Sequence, residues 1–280
     1  MRIRITAIAL VTRLVEGVGH LVSQVQFFLY GILPALLPSD ELTALTRRYY
    51  TRSYGGLERE FRADAYKWTL DNWEAAVEAK HMASKGLVVV LGAGLGRESI
   101  ALTEHGHRVL GLDNNYDGLH IATMRASSTH LPVLFVQADF RRLPVPKAQA
   151  DYVFLSSVMY SAIPGRRQRQ ECVREFRSVL KSDGKIVLNF LLSHEWQSRS
   201  HRLIETCNRW LLKLPGSNQN YQPGDFCSHG HFMHAFLDEA EIRSELTETG
   251  AIILELNWNE GFAVITYPTP RSPEISLAGP

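Results

Sequence analysis

Three glycines, Gly92, Gly94 and Gly96, stand at alternate positions directly after the apolar run Gly86 to Leu91, and an acid, Asp113, follows about twenty residues after the first of them. The run is rich in valine and bounded by glycine, which predicts a strand buried on both faces. Without a Cβ, the glycines let the backbone turn sharply and let a ligand come close. Arg97 to Glu104 predicts a helix with Ile100, Ala101 and Leu102 inward, and Arg108 to Leu112 a second strand that ends on Asp113. In such a unit the turn offers backbone N–H groups, and the acid can accept hydrogen bonds from both hydroxyls of a ribose.

A dinucleotide fingerprint would need a third glycine at position 97, which is Arg97. The spacing G-x-G-x-G, with the apolar strand before it, resembles motif I of the class I S-adenosylmethionine (SAM)-dependent methyltransferases. The resemblance covers about residues 85–267, and further matches extend it. A third strand, Pro132 to Ala138, ends at Asp139-Phe140, where the family has an acid for the adenine amino group and a residue against the ring. Leu143-Pro144 and the turn Leu180 to Gly184 also match family features. The resemblance implies an α/β, Rossmann-like sheet of seven mostly parallel strands with an antiparallel last strand. It implies SAM as cofactor, held by Leu91, Gly92, Ala93, Gly94, Gly96, Asp113, Asn114, Asp139, Phe140 and Ser156. One position departs from the family. Two residues before the first glycine, where the family has an acid for the methionine part, stands Val90. Glu98, at the start of the next helix, is open to two readings: a compensating acid, or a carboxylate that suits a helix start.

The remaining elements must position these residues. Asp151 to Ser156 and Lys185 to Leu191 are expected as strands four and five, Ala251 to Asn257 and Gly261 to Tyr267 as a final hairpin. Helices are expected over Asp64 to Met82, Tyr116 to Ser127, Arg166 to Leu180, Glu195 to Leu214 and Asp238 to Thr249. This divides the chain into an N-terminal helical and lid region (1–63), a methyltransferase domain (64–267) with a substrate-side insertion (192–236), and a tail (268–280). Met1 to Leu37 repeats apolar residues at helical spacing. Packing on the domain, homodimer formation and peripheral membrane contact are all open for it. It is too polar for a spanning helix and lacks the pattern of a signal peptide. Ser39 predicts an N-cap for a helix that runs through Arg47, Tyr49 and Tyr50 and breaks at Gly55-Gly56. Its Arg/Tyr cluster fits a solvated helix end or a lid over the cofactor.

Composition sets outer bounds. The net charge of +1 over 280 residues argues against a nucleic-acid partner, and the three cysteines form no CxxC pair, which suits reduced thiols in a cytoplasmic setting and gives no zinc cluster. The acceptor class follows by elimination. After strand four stands Ser156-Ser157-Val158-Met159, not the [N/D]-P-P-[Y/F] of base-amino methylation; no cysteine nucleophile or acid cluster lies there either. What remains is a small, hydrophobic or amphipathic acceptor, methylated on oxygen or nitrogen by in-line displacement. His194 and His231 are candidate general bases, since an imidazole titrates near neutral pH. Tyr160 is a candidate for positioning the acceptor. No metal is expected at His229, His231 and His234. The alternative is a non-catalytic SAM-fold protein that binds a membrane or a partner, with Val90 as its main hint.

Overall fold

The computed structural model describes residues 2–61, 68–155, 157–193, 199–228 and 230–268. Its first helices are α1 (Arg2–Leu36), α2 (Ser39–Phe61) and α3 (Asn72–His81). Alternating strands and helices follow: β1 (Leu87–Leu91), α4 (Arg97–Glu104), β2 (Arg108–Asp113), α5 (Tyr116–Ser128), β3 (Leu134–Gln137), β4 (Ala150–Leu155), α6 (Arg166–Val179) and β5 (Leu180–Asn189). A short strand β6 (Leu191–Leu192), helix α7 (Arg199–Leu211) and strands β7 (Asp225–Ser228) and β8 (His231–Phe236) come next, then α8 (Glu239–Thr247), β9 (Ile252–Asn257) and β10 (Phe262–Thr266).

The main sheet has seven strands in the order β3-β2-β1-β4-β5-β10-β9. β10 runs antiparallel to both neighbours, and the other central pairings are parallel. This is the expected architecture. The two faces of β1 explain its apolar run. Val89 and Leu91 pack in the layer formed with Val173 and Phe176 of α6 and Ile242 and Leu246 of α8. Val88 and Val90 pack in the opposite layer, with Val77 of α3, Leu102 of α4 and Leu119 of α5. Period-two alternation therefore gives no polar position, because both faces are covered.

Several expectations are corrected. The helix expected from Asp64 begins, among the described residues, at Asn72; Asp71 is its cap, with its N–H donating to Glu74 Oε2 at 2.7 Å. α2 does not break at Gly55-Gly56 but continues to Phe61, since each glycine costs a helix only about 1 kcal/mol. Leu180 to Gly184, expected as a turn, is the start of β5, with a register shift opposite Ala150 and Tyr152. The histidine-bearing stretch before α8 is a hairpin, β7 against β8, with β6 parallel on its other side. The N-terminal helices dock here. Leu42 packs with Cys227 and Phe232, flanked by Tyr30, Leu33 and Leu37, and the Phe232 N–H donates to Thr46 Oγ1 at 2.9 Å.

The hairpin carries a buried ion-pair group. His234 Nδ1 lies 2.7 Å from Asp225 Oδ1, and Nε2 lies 3.2 Å from Glu241 Oε1. Burial and the nearby Arg169 act to lower the His234 pKa, but the two carboxylates outweigh them and raise it. A raised folded pKa gives stability that is full below the unfolded value of about 6.5 and is lost as pH rises through the folded value. Denaturant unfolding of the wild type should therefore show a fall in stability above about pH 6.5 that His234→Asn lacks. Parallel pH profiles for the two proteins would refute the assignment.

Candidate functional site

The strand registers set one row across the sheet: Val136, Leu112, Leu91, Leu155 and Leu188 are successive neighbours. The residues just past that row meet at the carboxyl ends of the strands, where open α/β sheets bind ligands. They line a cleft with Gly92, Ala93 and Gly94 after β1, Asp113 and Asn114 after β2, Asp139 and Phe140 after β3, and Ser157 and Met159 after β4. Seven of the ten residues expected to hold a cofactor line this cleft. Leu91 is buried beneath it, and Gly96 (φ +88°) caps α4; a Cβ there would lie 2.8 Å from the Ala122 Cβ. Ser156 lies outside the described residues.

Asp113 joins the first two strand ends. Its Oδ2 accepts from the Gly94 N–H and its Oδ1 from the Asn115 N–H, both at 2.8 Å. Burial raises its pKa, against three lowering hydrogen bonds from the Asn115, Gly94 and Asn114 backbone. Each carboxylate oxygen can accept more than one hydrogen bond, so the buried acid still has acceptor capacity toward the cleft. The glycine turn has φ of +67° at Gly92 and +51° at Gly94, a region that favours glycine.

At the far side of the turn, Arg97 is shared. It makes two bonds to Glu74 (2.6 and 2.8 Å) and one to Glu98 Oε1 (2.7 Å). Glu98 is buried, lines the cleft and also accepts from Ser157 Oγ at 3.2 Å. Asp71 lies 3.6 Å from the same guanidinium, and burial raises the Glu74 pKa. Val90, by contrast, is sealed in the apolar layer among Val77, Leu102 and Phe154.

Ser157 and the following Val158 both have positive φ (54° and 52°), a strained conformation for a β-branched residue. Asn189 holds it: Oδ1 accepts the Val158 N–H at 2.7 Å while Nδ2 donates to Gly261 O at 2.8 Å. No composition or spacing signal shows this strain, because Asn189 and Val158 are far apart in the chain.

α2 covers the cleft. Thr43, Thr46, Arg47 and Tyr50 line it, so the Arg/Tyr cluster meets the cofactor-side residues. Arg47 Nη2 lies 3.4 Å from Asp139 Oδ2, and burial, Tyr49 and Asp113 raise the Tyr50 pKa. Asp139 is further occupied by Arg141, whose Nε and Nη2 contact both carboxylate oxygens. Burial alone would raise the Asp139 pKa, but Arg141 and Arg47 bring it below the usual range. Arg141 and Gln168 of the cleft wall were not legible as site residues.

The expected catalytic side chains are not gathered here. Tyr160 is a correction: it is fully buried, its hydroxyl donates to Glu245 Oε1 at 2.6 Å, and its ring stacks on Phe236. A side chain sealed in the core cannot position an acceptor. His231 stacks on Tyr49 with ring centroids 4.3 Å apart and is not among the residues that line the cleft. His194 lies outside the described residues, as does His229. Among the described residues no group of three or more His, Cys, Asp or Glu is arranged to hold a metal ion.

A family profile described as "Methyltransferase domain" matches residues 89–188, the span from β1 to β5 that supplies most of the cleft. Residues 89–188 carry a methyltransferase domain. The fold is shared with solved structures at low identity. The CcbJ methyltransferase from Streptomyces caelestis is 17% identical, with TM-score 0.58 over 79% of this chain and 98% of that one. A SAM-dependent methyltransferase from Methanosarcina mazei is 19% identical, with TM-score 0.54 over 72% and 100%. Magnesium protoporphyrin IX methyltransferase from Synechocystis PCC 6803, solved with bound SAH, is 17% identical, with TM-score 0.50 over 79% and 97%. No curated protein matches the chain in sequence. The cleft fits SAM by its donor set: an acid with spare acceptor capacity, a glycine turn and a buried carboxylate, Glu98, in the wall.

Proposed function

We propose that this domain methylates a small acceptor on oxygen or nitrogen, with the cofactor's ammonium group held by Glu98 in place of an acid at Val90. The observation that carries this is the burial of Glu98 in the cleft wall, where its carboxylate is held by Arg97 and Ser157. Asp113 and Asn114 take the ribose side, Asp139 and Phe140 the adenine side, and the Gly92–Gly94 turn approaches the chain between them. When bound, SAM supplies a methyl group already activated by its sulfonium. The protein's tasks are to hold an acceptor in line with that group and to exclude water. Arg47 and Tyr50 of α2 serve the second task, since both line the cleft from the outside.

A small acceptor is supported by the near-neutral charge and by Ser157-Val158-Met159 where base-amino enzymes carry their proline motif. Among the similar folds, one is named for magnesium protoporphyrin IX, itself a small molecule. His194, which follows the end of β5 in sequence, is the base we assign where the acceptor needs one.

Calorimetric titration with SAM tests the reading, and absence of binding by the folded wild type would overturn it. Glu98→Gln keeps the size and removes the charge. It should weaken SAM about tenfold, about 1.4 kcal/mol, and leave methylthioadenosine, which has no ammonium group, unchanged. Equal losses for the two ligands, or none for SAM, would take the role from Glu98.

A further inference from the structure

Asp139 stands just past β3, on the adenine side of the cleft, yet its carboxylate is already filled. Oδ1 accepts from the Arg141 backbone N–H and from Arg141 Nε, both at 3.0 Å. Oδ2 accepts from Arg141 Nε at 3.1 Å, from Arg141 Nη2 at 2.6 Å and from Arg47 Nη2 at 3.4 Å. A carboxylate offers about four acceptor sites, and these contacts occupy them. An amino group that turned to Asp139 would have to displace a bond from a guanidinium, which is stronger than the neutral one it would bring.

Gln168, on α6, is the reverse case. It lines the same cleft, and its Oε1 is buried with no hydrogen-bond partner among the described residues. Leaving a buried acceptor unpaired costs stability. The terminal torsion of a glutamine is broad, so an oxygen that no partner holds can turn to a ligand. Its companions on this wall, Met159, Ala162, Ile163 and Pro164, have no N–H or O–H side chain to offer it. α6 also sets where Gln168 stands. Gln168, Cys172 and Phe176 follow one another at four-residue spacing along one face of the helix. Phe176 meets the Phe140 ring edge-on, with centroids 6.4 Å apart. Burial pushes the Cys172 thiol up to about 12, and Arg141 and Asp139 are the next influences on it. The face therefore runs beside the end of β3, and Gln168 is its member that reaches the cleft.

We propose that Gln168, and not Asp139, reads the adenine edge of SAM: its amide oxygen accepts from the exocyclic amino group and its amide N–H donates to the neighbouring ring nitrogen. This rests on the reading that the cleft binds SAM with its adenine beside Asp139 and Phe140. A glutamine makes this two-bond pairing with adenine because one amide matches a donor next to an acceptor. A carboxylate supplies the acceptor only. Asp139 then has another task. It ties Arg47 of α2 to Arg141 of the opposite wall, and so fixes the cover of the cleft to the end of β3.

The test is calorimetric binding of two ligands to the full chain: S-adenosylhomocysteine, and its 6-deamino analogue, which has hydrogen in place of the amino group. The wild type should prefer S-adenosylhomocysteine by about tenfold or more. Gln168→Met keeps the length of the side chain and removes the amide, and it should bind the two ligands alike. Its circular dichroism and melting temperature should be those of the wild type, because the oxygen it removes has no partner to lose. Asp139→Asn should keep the wild-type preference. A preference that survives Gln168→Met, or that disappears in Asp139→Asn, would overturn the inference. A wild type that binds both ligands equally would also overturn it and leave the SAM reading standing. A folded wild type that binds neither would overturn both.

Discussion

Arg169→Ala is expected to destabilise the protein by about 3–5 kcal/mol, the cost of leaving one partner of a buried ion pair without the other. Arg169 is fully buried on α6, and its Nε and Nη2 each donate to Glu245 of α8 at 2.8 Å. Nη2 also donates to Gln222 Oε1 at 2.8 Å, in the insertion that precedes β7. Glu245 accepts a further bond from the Tyr160 hydroxyl, whose pKa burial and this carboxylate raise well above the ordinary value. Alanine would leave Glu245 with the Tyr160 hydroxyl and, 3.9 Å away, Arg166 Nη1, without the two short charge-assisted bonds. It would also free the Ala162–Gln168 wall of the cleft, because Arg169 Nη1 reaches Ile163 O at 3.4 Å. Denaturant unfolding measures the loss. The paired replacement Arg169→Met with Glu245→Leu should recover much of it, since a buried ion pair contributes little over apolar residues of similar volume. A loss under 1 kcal/mol for Arg169→Ala would show that solvent reaches the site.

That network also shows where the sequence stops being legible. The strands were readable because their signal is local: apolar runs covered on both faces, ended by glycine or an acid. The site residues on those strand ends came with them, since the row from Val136 to Leu188 places each following residue at one edge. Tyr160 was misjudged because its position after β4 is local but its partner, Glu245, is 85 residues away. β8 was not visible for a similar reason: His234 is matched inside the core by Asp225, across the hairpin, and by Glu241 of α8. The cover of the cleft was only half visible. The Arg47 and Tyr50 cluster fitted a solvated helix end equally well until α2 was seen to lie against Asp139 and Asp113. Glu98 was noticed as an acid, but its place in the cleft wall depends on Ser157, 59 residues away in the chain, and on Arg97, which Glu74 of another helix also holds.

Asp113→Ala should weaken SAM by about 3 kcal/mol, more than a hundredfold, because it removes charge-assisted hydrogen bonds to a bound ribose. The carboxylate has a second task that sets the control. It holds the Gly94 and Asn115 N–H groups at 2.8 Å, which orders the turn before any ligand arrives. Alanine leaves both donors without that partner, so some loss of stability, about 1–2 kcal/mol, should accompany the loss of affinity. Asp113→Asn separates the two tasks. An amide oxygen can still accept from one of the backbone donors, so the fold should recover, while a neutral side chain should restore only part of the binding. Acidification gives an independent check. Since burial raises the Asp113 pKa, SAM affinity should begin to fall at a higher pH than an ordinary aspartate would set. Calorimetry across pH on the wild type and both variants measures all of this. Normal SAM affinity in Asp113→Ala, combined with a lower melting temperature, would make Asp113 a brace for the glycine turn and not a ligand.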